Sequence, residues 1–111
     1  AECKFKANDV DGAAKLLNAV RKRNYPQDTW AEYLYKPVGT VTLTQDELYD
    51  EWGREFLAEG RRRTDLIRWG LYCTEEWWDK KPDADSHWDI FPIPRDMMGA
   101  DHTLKQNPGY N

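Results

Sequence analysis

The sequence predicts a mostly α fold: a helical hairpin of the tetratricopeptide-like kind, further helices, irregular loops and an extended C-terminal tail. Three observations predict it. Apolar residues recur at helical spacing in "DVDGAAKLLNAVRKRN" and again from Leu48 to Phe56. Helix-start chemistry stands directly before both stretches, at Asp9 and at Thr44. Prolines at 82, 92, 94 and 108 interrupt the last third, where a regular element would lose amide donors.

The opening "AECKFKAND" reads as a helix ending in a tight turn at Asn8 and Asp9. In the next helix Val10, Ala13, Ala14, Leu16, Leu17 and Val20 form one stripe, Asp9 caps the start, and Arg21, Lys22 and Arg23 suit the negative end of the dipole. Asn24 and the "YP" that follows stop it. Two helices so joined make an αα-hairpin. "TWAEYLYKPVGTVTL" is rich in aromatic and β-branched residues but broken by Pro37 and Gly39, which predicts irregular chain with a short extended piece at Val41 to Leu43. "TQDE" then forms a capping box in which Thr44 accepts from the Glu47 amide and the Glu47 carboxylate reaches back. The helix it opens carries Leu48, Trp52 and Phe56 at successive i+4 steps, with Tyr49 and Leu57 beside them. In the tail, Pro92 and Pro94 force an extended path and "NPGY" forms a turn with Pro108 and Gly109 at its centre. Ile90, Phe91, Ile93, Met97 and Tyr110 are the expected packing pins of that tail.

Composition narrows the function classes. The 111 residues, 40% hydrophobic and 32% charged with a net charge of −4, suffice for one modest core and lack the basic footprint of a general nucleic-acid binder. No apolar run approaches the roughly 20 residues that span a bilayer. The chain opens in what reads as mid-helix sequence, the expectation for the C-terminal part of something longer. Cys3 and Cys73 fit either a disulfide or two buried thiols, and the helical pattern around Cys3 favours thiols. His87 and His102 have no metal-ligand neighbours, and the Asp83–Asp85 pair lacks the further oxygens and glycine of a calcium loop. No cofactor motif is present.

"EGRRRTDLIRWG" interleaves charge with Leu66, Ile67 and Trp69. If the preceding helix continues to about Glu59, then Glu51, Glu55 and Glu59 lie along one side, and Arg62 and Asp65 extend that side once a helix resumes after Gly60. Charge so near apolar surface must be paired. With arginines this plentiful the carboxylates stay ionised, so a salt-bridge network is expected rather than acid–base catalysis. Arg62 is expected to pair with Glu55, Glu59 or Asp65.

Glu51, Arg54, Glu55, Glu59, Gly60, Arg62, Asp65, Leu66, Arg68, Trp69 and Gly70 resemble the "ER…ELxxEGxRxxDLxRWG" motif of the SusD/RagB family. The opening "AECKFKANDVDGAAKLLNAVRKRNY" and the closing "IFPIPRDMMGADHTLKQNPGY" are similar to the helical hairpin and the terminus of that family, in family order. Trp52, Gly53, Arg63 and Thr64 depart from its usual residues. The resemblance implies a division into a helical hairpin (1–25), motif helices (44–72) and a loop with extended tail (73–111) of a larger SusD-like domain. It also implies a surface lipoprotein of the outer membrane that binds glycan or another nutrient without catalysis. Such a protein caps a SusC-like TonB-dependent β-barrel transporter, with its lipid anchor upstream. The alternative is a helical-repeat module that only docks a protein partner. A glycosidase would need two carboxylates about 5 to 10 Å apart across a cleft, and no pair is marked for that.

Sugar sites set exposed aromatic rings among a few polar groups. "EEWWDKKPDADSHWD" has that character, which makes Trp77, Trp78 and Trp88 the candidate ligand-binding residues, ahead of Trp30, Tyr33 and Tyr35.

Overall fold

The computed structural model describes residues 1–110, which are mostly helical with irregular connections and no sheet among the described residues. The chain divides into two compact units, residues 1–55 and 56–111.

In the first unit α1 (Glu2–Lys6) and α2 (Val10–Arg21) form the expected hairpin. The reversal needs a left-handed residue, and Asn8 supplies it at φ 62°. Asp9 caps α2 by accepting from the Gly12 amide at 2.9 Å. Its carboxylate also receives Lys4 at 2.6 Å, and that bond holds it below the usual carboxylate range. Only part of the predicted apolar stripe is covered. Ala13, Ala14 and Leu17 are buried, whereas Val10 and Leu16 are exposed. Periodicity identifies an apolar face but not how much of it another element meets.

The stretch from Thr29 to Leu43, expected to be irregular with a short extended piece at Val41 to Leu43, instead opens on α3 (Trp30–Tyr33), into which a 3-10 turn (Gln27–Thr29) leads. Tyr25 and Tyr33 stack at 4.7 Å across that turn, and the Trp30 indole donates to the Tyr25 carbonyl at 3.0 Å. The chain then doubles back through a cis Lys36–Pro37 bond, and Tyr35 bridges Val41. Tyr35 is fully buried, and its backbone is gripped by Asn18 of α2. The Asn18 Oδ1 accepts from its amide at 2.7 Å while Nδ2 donates to its carbonyl at 2.9 Å.

Helix α4 (Gln45–Glu55) opens where Thr44 accepts from the Glu47 amide at 3.2 Å. Glu47 does not complete the capping box; its carboxylate turns inward to two arginines and a tyrosine. Leu48 and Tyr49 are buried, but Leu57 is exposed. The core of this unit is Ala13, Ala14, Leu17, Leu34, Tyr35, Leu43, Leu48 and Tyr49.

In the second unit Ala58 and Gly60 both take positive φ, so the helix does not run on to Glu59. A separate α5 (Arg62–Arg68) follows. Leu66 of α5 and Cys73 beyond it are buried. Cys3, by contrast, is exposed, and both thiols are free. The tail is extended through Pro92 and Pro94 but contains α6 (Arg95–Ala100), a short helix that the prolines before it do not forbid, since Pro94 stands at its N-cap. The NPGY turn closes with Tyr110 N–H on the Asn107 carbonyl at 3.3 Å and Gly109 at φ 88°. A Cβ on Gly109 would stand 2.4 Å from the His87 Cβ, so the position requires glycine on both counts. Of the expected pins, Ile90, Phe91 and Met97 are exposed. Polar side chains do the pinning instead. Gln106 exchanges two hydrogen bonds with the Ile93 backbone at 2.7 and 2.9 Å, Asn107 donates to the Phe91 carbonyl at 2.8 Å, and the Tyr110 hydroxyl donates to the Ile90 carbonyl at 2.8 Å.

Candidate functional site

The charge cluster of the first unit is built from the end of α2 and one face of α4. Arg21 is the last residue of α2, and its buried side chain turns toward α4. Its Nε lies 3.1 Å from both Glu51 oxygens, and Nη2 donates to Glu51 at 2.9 Å and Glu47 at 2.6 Å. Nη1 donates to the Tyr33 carbonyl at 2.5 Å. Arg54 meets the same carboxylates, with Nη2 at 2.7 Å from Glu51 and 2.5 Å from Glu47. The Tyr35 hydroxyl is 2.9 Å from Glu47 and 3.2 Å from Glu51, and its ring lies beneath the Arg21 guanidinium at 4.0 Å. Two carboxylates thus face two guanidiniums, and the buried charge is balanced.

Burial alone would raise the Glu51 pKa; the hydrogen bonds and charges of Arg21 and Arg54 outweigh it and hold the carboxyl below its ordinary range. Burial would likewise lower Arg21, but Glu51 keeps it above its ordinary value. Burial and the neighbouring Glu51 charge push the Tyr35 phenol well above the usual tyrosine range. None of these groups is poised to exchange a proton near neutrality, so the cluster suits structure rather than acid–base chemistry.

Each remaining member of the predicted charge row has its own surroundings. Glu55 pairs with exposed Arg23, two residues beyond the end of α2. Glu59 is exposed. Asp65 is buried and accepts from Arg68 at 3.0 Å. Arg62 is exposed and stands 5.9 Å from the Trp69 ring, which Arg68 also approaches at 4.6 Å. The buried guanidinium that joins two helices is therefore Arg21. Sequence reasoning assigned it only to the helix dipole. Glu47, Glu51 and Arg54 did carry a signal, standing at i, i+4 and i+7 on one face of α4.

The aromatic loop belongs to the second unit. Trp77 and Lys80 exchange two backbone hydrogen bonds of 3.0 Å, which leaves Trp78 and Asp79 at the tip of a two-residue turn. Trp77 is half-buried with Lys80 Nζ 5.3 Å from its ring. Trp78 is 95% exposed and has no hydrogen-bond or ring partner among the described residues. Trp88 stands apart in a 3-10 turn (His87–Asp89), tilted against His87 at 4.3 Å and edge-on to Tyr110 at 5.9 Å, with one face in solvent. His87 is oriented by Asp85, which accepts from its ring and from its backbone amide. Arg63 braces this segment. It donates to the Trp88 carbonyl at 2.7 Å, and its guanidinium lies 4.0 Å from the Phe91 ring and 5.0 Å from the Tyr72 ring. The structure thus groups Trp77 with Trp78 and assigns Trp88 to a second cluster. Asp83 and Asp85 are engaged by Lys80 and His87 respectively. The Cys73 thiol, buried and hydrogen-bonded to Asp89 at 3.3 Å, is pushed up to about 11, mainly by burial, so it is not a nucleophile at neutral pH.

The SusD family model matches residues 1–110. This chain belongs to the SusD family. It is 42% identical over 76 residues to the starch-binding protein SusD of Bacteroides thetaiotaomicron, a match covering 62% of this chain and 14% of that protein. A SusD-like protein of Formosa agariphila is 35% identical over 71 residues, covering 64% of this chain and 13% of its own length. The chain therefore spans about one seventh of the length of these SusD relatives.

Proposed function

We propose that this chain is the C-terminal part of a SusD-like surface lipoprotein that holds glycan without hydrolysing it and passes it to a SusC-like TonB-dependent transporter. Its hairpin (1–25) and motif helices (44–72) serve as scaffold, and the loop and tail (73–111) carry any ligand contact. Family membership supports the reading, as does a relative described as starch-binding. So does the lowered pKa of Glu51, held between Arg21 and Arg54, which does not suit that carboxylate to the general-acid role in glycoside cleavage.

The observation that carries ligand contact is Trp78. An indole 95% exposed on a tight turn adds little to the packing of this unit, and it offers a flat apolar face of the kind on which sugar rings stack. Trp88, half in solvent and buttressed by His87 and Tyr110, offers a second, and half-buried Trp77 stands next to Trp78 in the turn.

The test is Trp78→Ala in the full-length polypeptide, followed by calorimetric titration with soluble starch and other polysaccharides. Sugar affinity is expected to fall several-fold, for a stacking contribution of about 1 kcal/mol, with the melting temperature unchanged. Unchanged affinity in both Trp78→Ala and Trp88→Ala removes this loop from the ligand site. Reducing ends released by the wild-type protein and lost on mutating Glu51 overturn the non-catalytic reading.

A further inference from the structure

The tail forms a cleft that the aromatic loop does not include. A cavity of about 350 Å³ opens between the Pro92–Pro94 segment, the first turn of α6 and the QNPGY turn, lined by Pro92, Ile93, Pro94, Arg95, Met98, Gln106 and Tyr110. That volume lies at the lower end of small-molecule sites and fits one sugar residue rather than a chain.

The cleft is held open by hydrogen bonds that consume nearly all its polar groups. Both ends of the Gln106 amide are bound to the Ile93 backbone, and its Oε1 also accepts from the Asn107 amide at 2.9 Å. The Tyr110 hydroxyl is committed to the Ile90 carbonyl at 2.8 Å, which fixes the ring at the cleft wall. The Pro94 carbonyl accepts from the Met97 and Met98 amides at 3.0 and 3.1 Å. One strong polar group is left over. Among the described residues the Arg95 guanidinium has no hydrogen-bond, ion-pair or ring partner.

A preformed apolar and aromatic wall in a cleft that Arg95, with its uncommitted guanidinium, also lines defines a complementary ligand. It has a C–H-rich face to lie on Tyr110 and the proline rings, and a planar anion to receive two parallel N–H donors. Arginine is better suited to that bidentate pairing with a carboxylate than lysine is. A neutral sugar would use the wall and leave the guanidinium idle. We propose that this cleft binds one uronic acid residue of an acidic glycan, its carboxylate on Arg95 and its sugar ring against Tyr110. The proposal rests on the glycan-binding reading above and names the class of sugar.

The experiment compares digalacturonic acid with neutral galactobiose, by calorimetric titration of the full-length protein and of its Arg95→Gln and Arg95→Lys variants. Arg95 is exposed, so both variants should keep the wild-type melting temperature. The wild type is expected to bind digalacturonic acid. Arg95→Gln should weaken that binding at least tenfold, Arg95→Lys should restore only part of it, and raised salt should weaken it further. Binding of digalacturonic acid that Arg95→Gln leaves unchanged overturns the proposal. So does a wild type that binds neutral oligosaccharides from a broad panel but not digalacturonic acid, and that result leaves the glycan reading intact. A wild type that binds no saccharide of either kind overturns both.

Discussion

Asn18 and Gln106 do the same job in the two units. Each uses a side-chain amide to pair both backbone groups of one extended residue, Tyr35 in the first unit and Ile93 in the second. Each stands in for the strand neighbour that these irregular segments lack. Their surroundings differ. Asn18 and Tyr35 are buried beside a balanced charge cluster, while Gln106 and Ile93 are only partly covered, on a tail whose Ile90 and Phe91 face solvent. The first unit is closed over polar pairs that must stay intact. The second is tied from outside by bonds that water can replace. An identical bond pattern therefore carries very different weight, because the cost of an orphaned donor depends on whether water can reach it.

The largest effect that tests this contrast is loss of Arg21. Arg21→Ala leaves Glu47 and Glu51 with one guanidinium, Arg54, beside the Tyr35 hydroxyl, and the Tyr33 carbonyl without its Arg21 donor. The expected destabilisation is about 3–5 kcal/mol by denaturant unfolding of the full-length protein. Arg62→Ala removes an exposed guanidinium, so its cost should not exceed about 1 kcal/mol. Equal losses for the two would break the distinction between sealed and open charge. Asn18→Ala comes next, at about 2 kcal/mol with faster exchange of the Tyr35 amide, whereas Gln106→Ala should cost under about 1 kcal/mol and free the Ile93 and Asn107 amides. Hydrogen exchange resolved by residue separates these outcomes.

The smallest and broadest effect is on pH. The depressed Glu51 pKa adds stability that is present above its ordinary value of 4.5 and is lost as pH falls toward its folded value. The raised Tyr35 pKa adds stability that is present below its ordinary value of 10.0 and is lost as pH rises beyond it. Unfolding midpoints of the full-length protein should form a plateau between those limits. Tyr35→Phe should remove the alkaline decline attributable to this phenol, and an unaltered alkaline limb in that variant would show that other groups set it.

Much of the fold was legible where the cause was local. Asp9 and Thr44 each accept from an amide three residues on, and Pro108–Gly109 fixes a turn within four residues, so sequence proximity contains the whole interaction. Arg21 was not legible in its role because its partners lie 26 and 30 residues away, and its helix-end position offered a sufficient local explanation. Val10 and Leu16 share the stripe of Leu17 but lie uncovered, since spacing says nothing of what packs opposite. The candidate ligand residues were legible as a composition. Their separation into a Trp77–Trp78 turn and a Trp88 cluster depended on the backbone pairing at Lys80 and on Tyr110, 22 residues beyond Trp88.

The exposed position of Trp78 also has an optical consequence. An indole surrounded by water emits at longer wavelength and meets dissolved quenchers freely, while the five other tryptophans of the chain are all more sheltered. The red edge of this chain's intrinsic fluorescence is therefore weighted toward that side chain, with half-exposed Trp88 next. Acrylamide or iodide would dim it first, and anything that settled on that ring would shield it and shift the emission to the blue. The turn at 77–80 carries its own reporter, without a label.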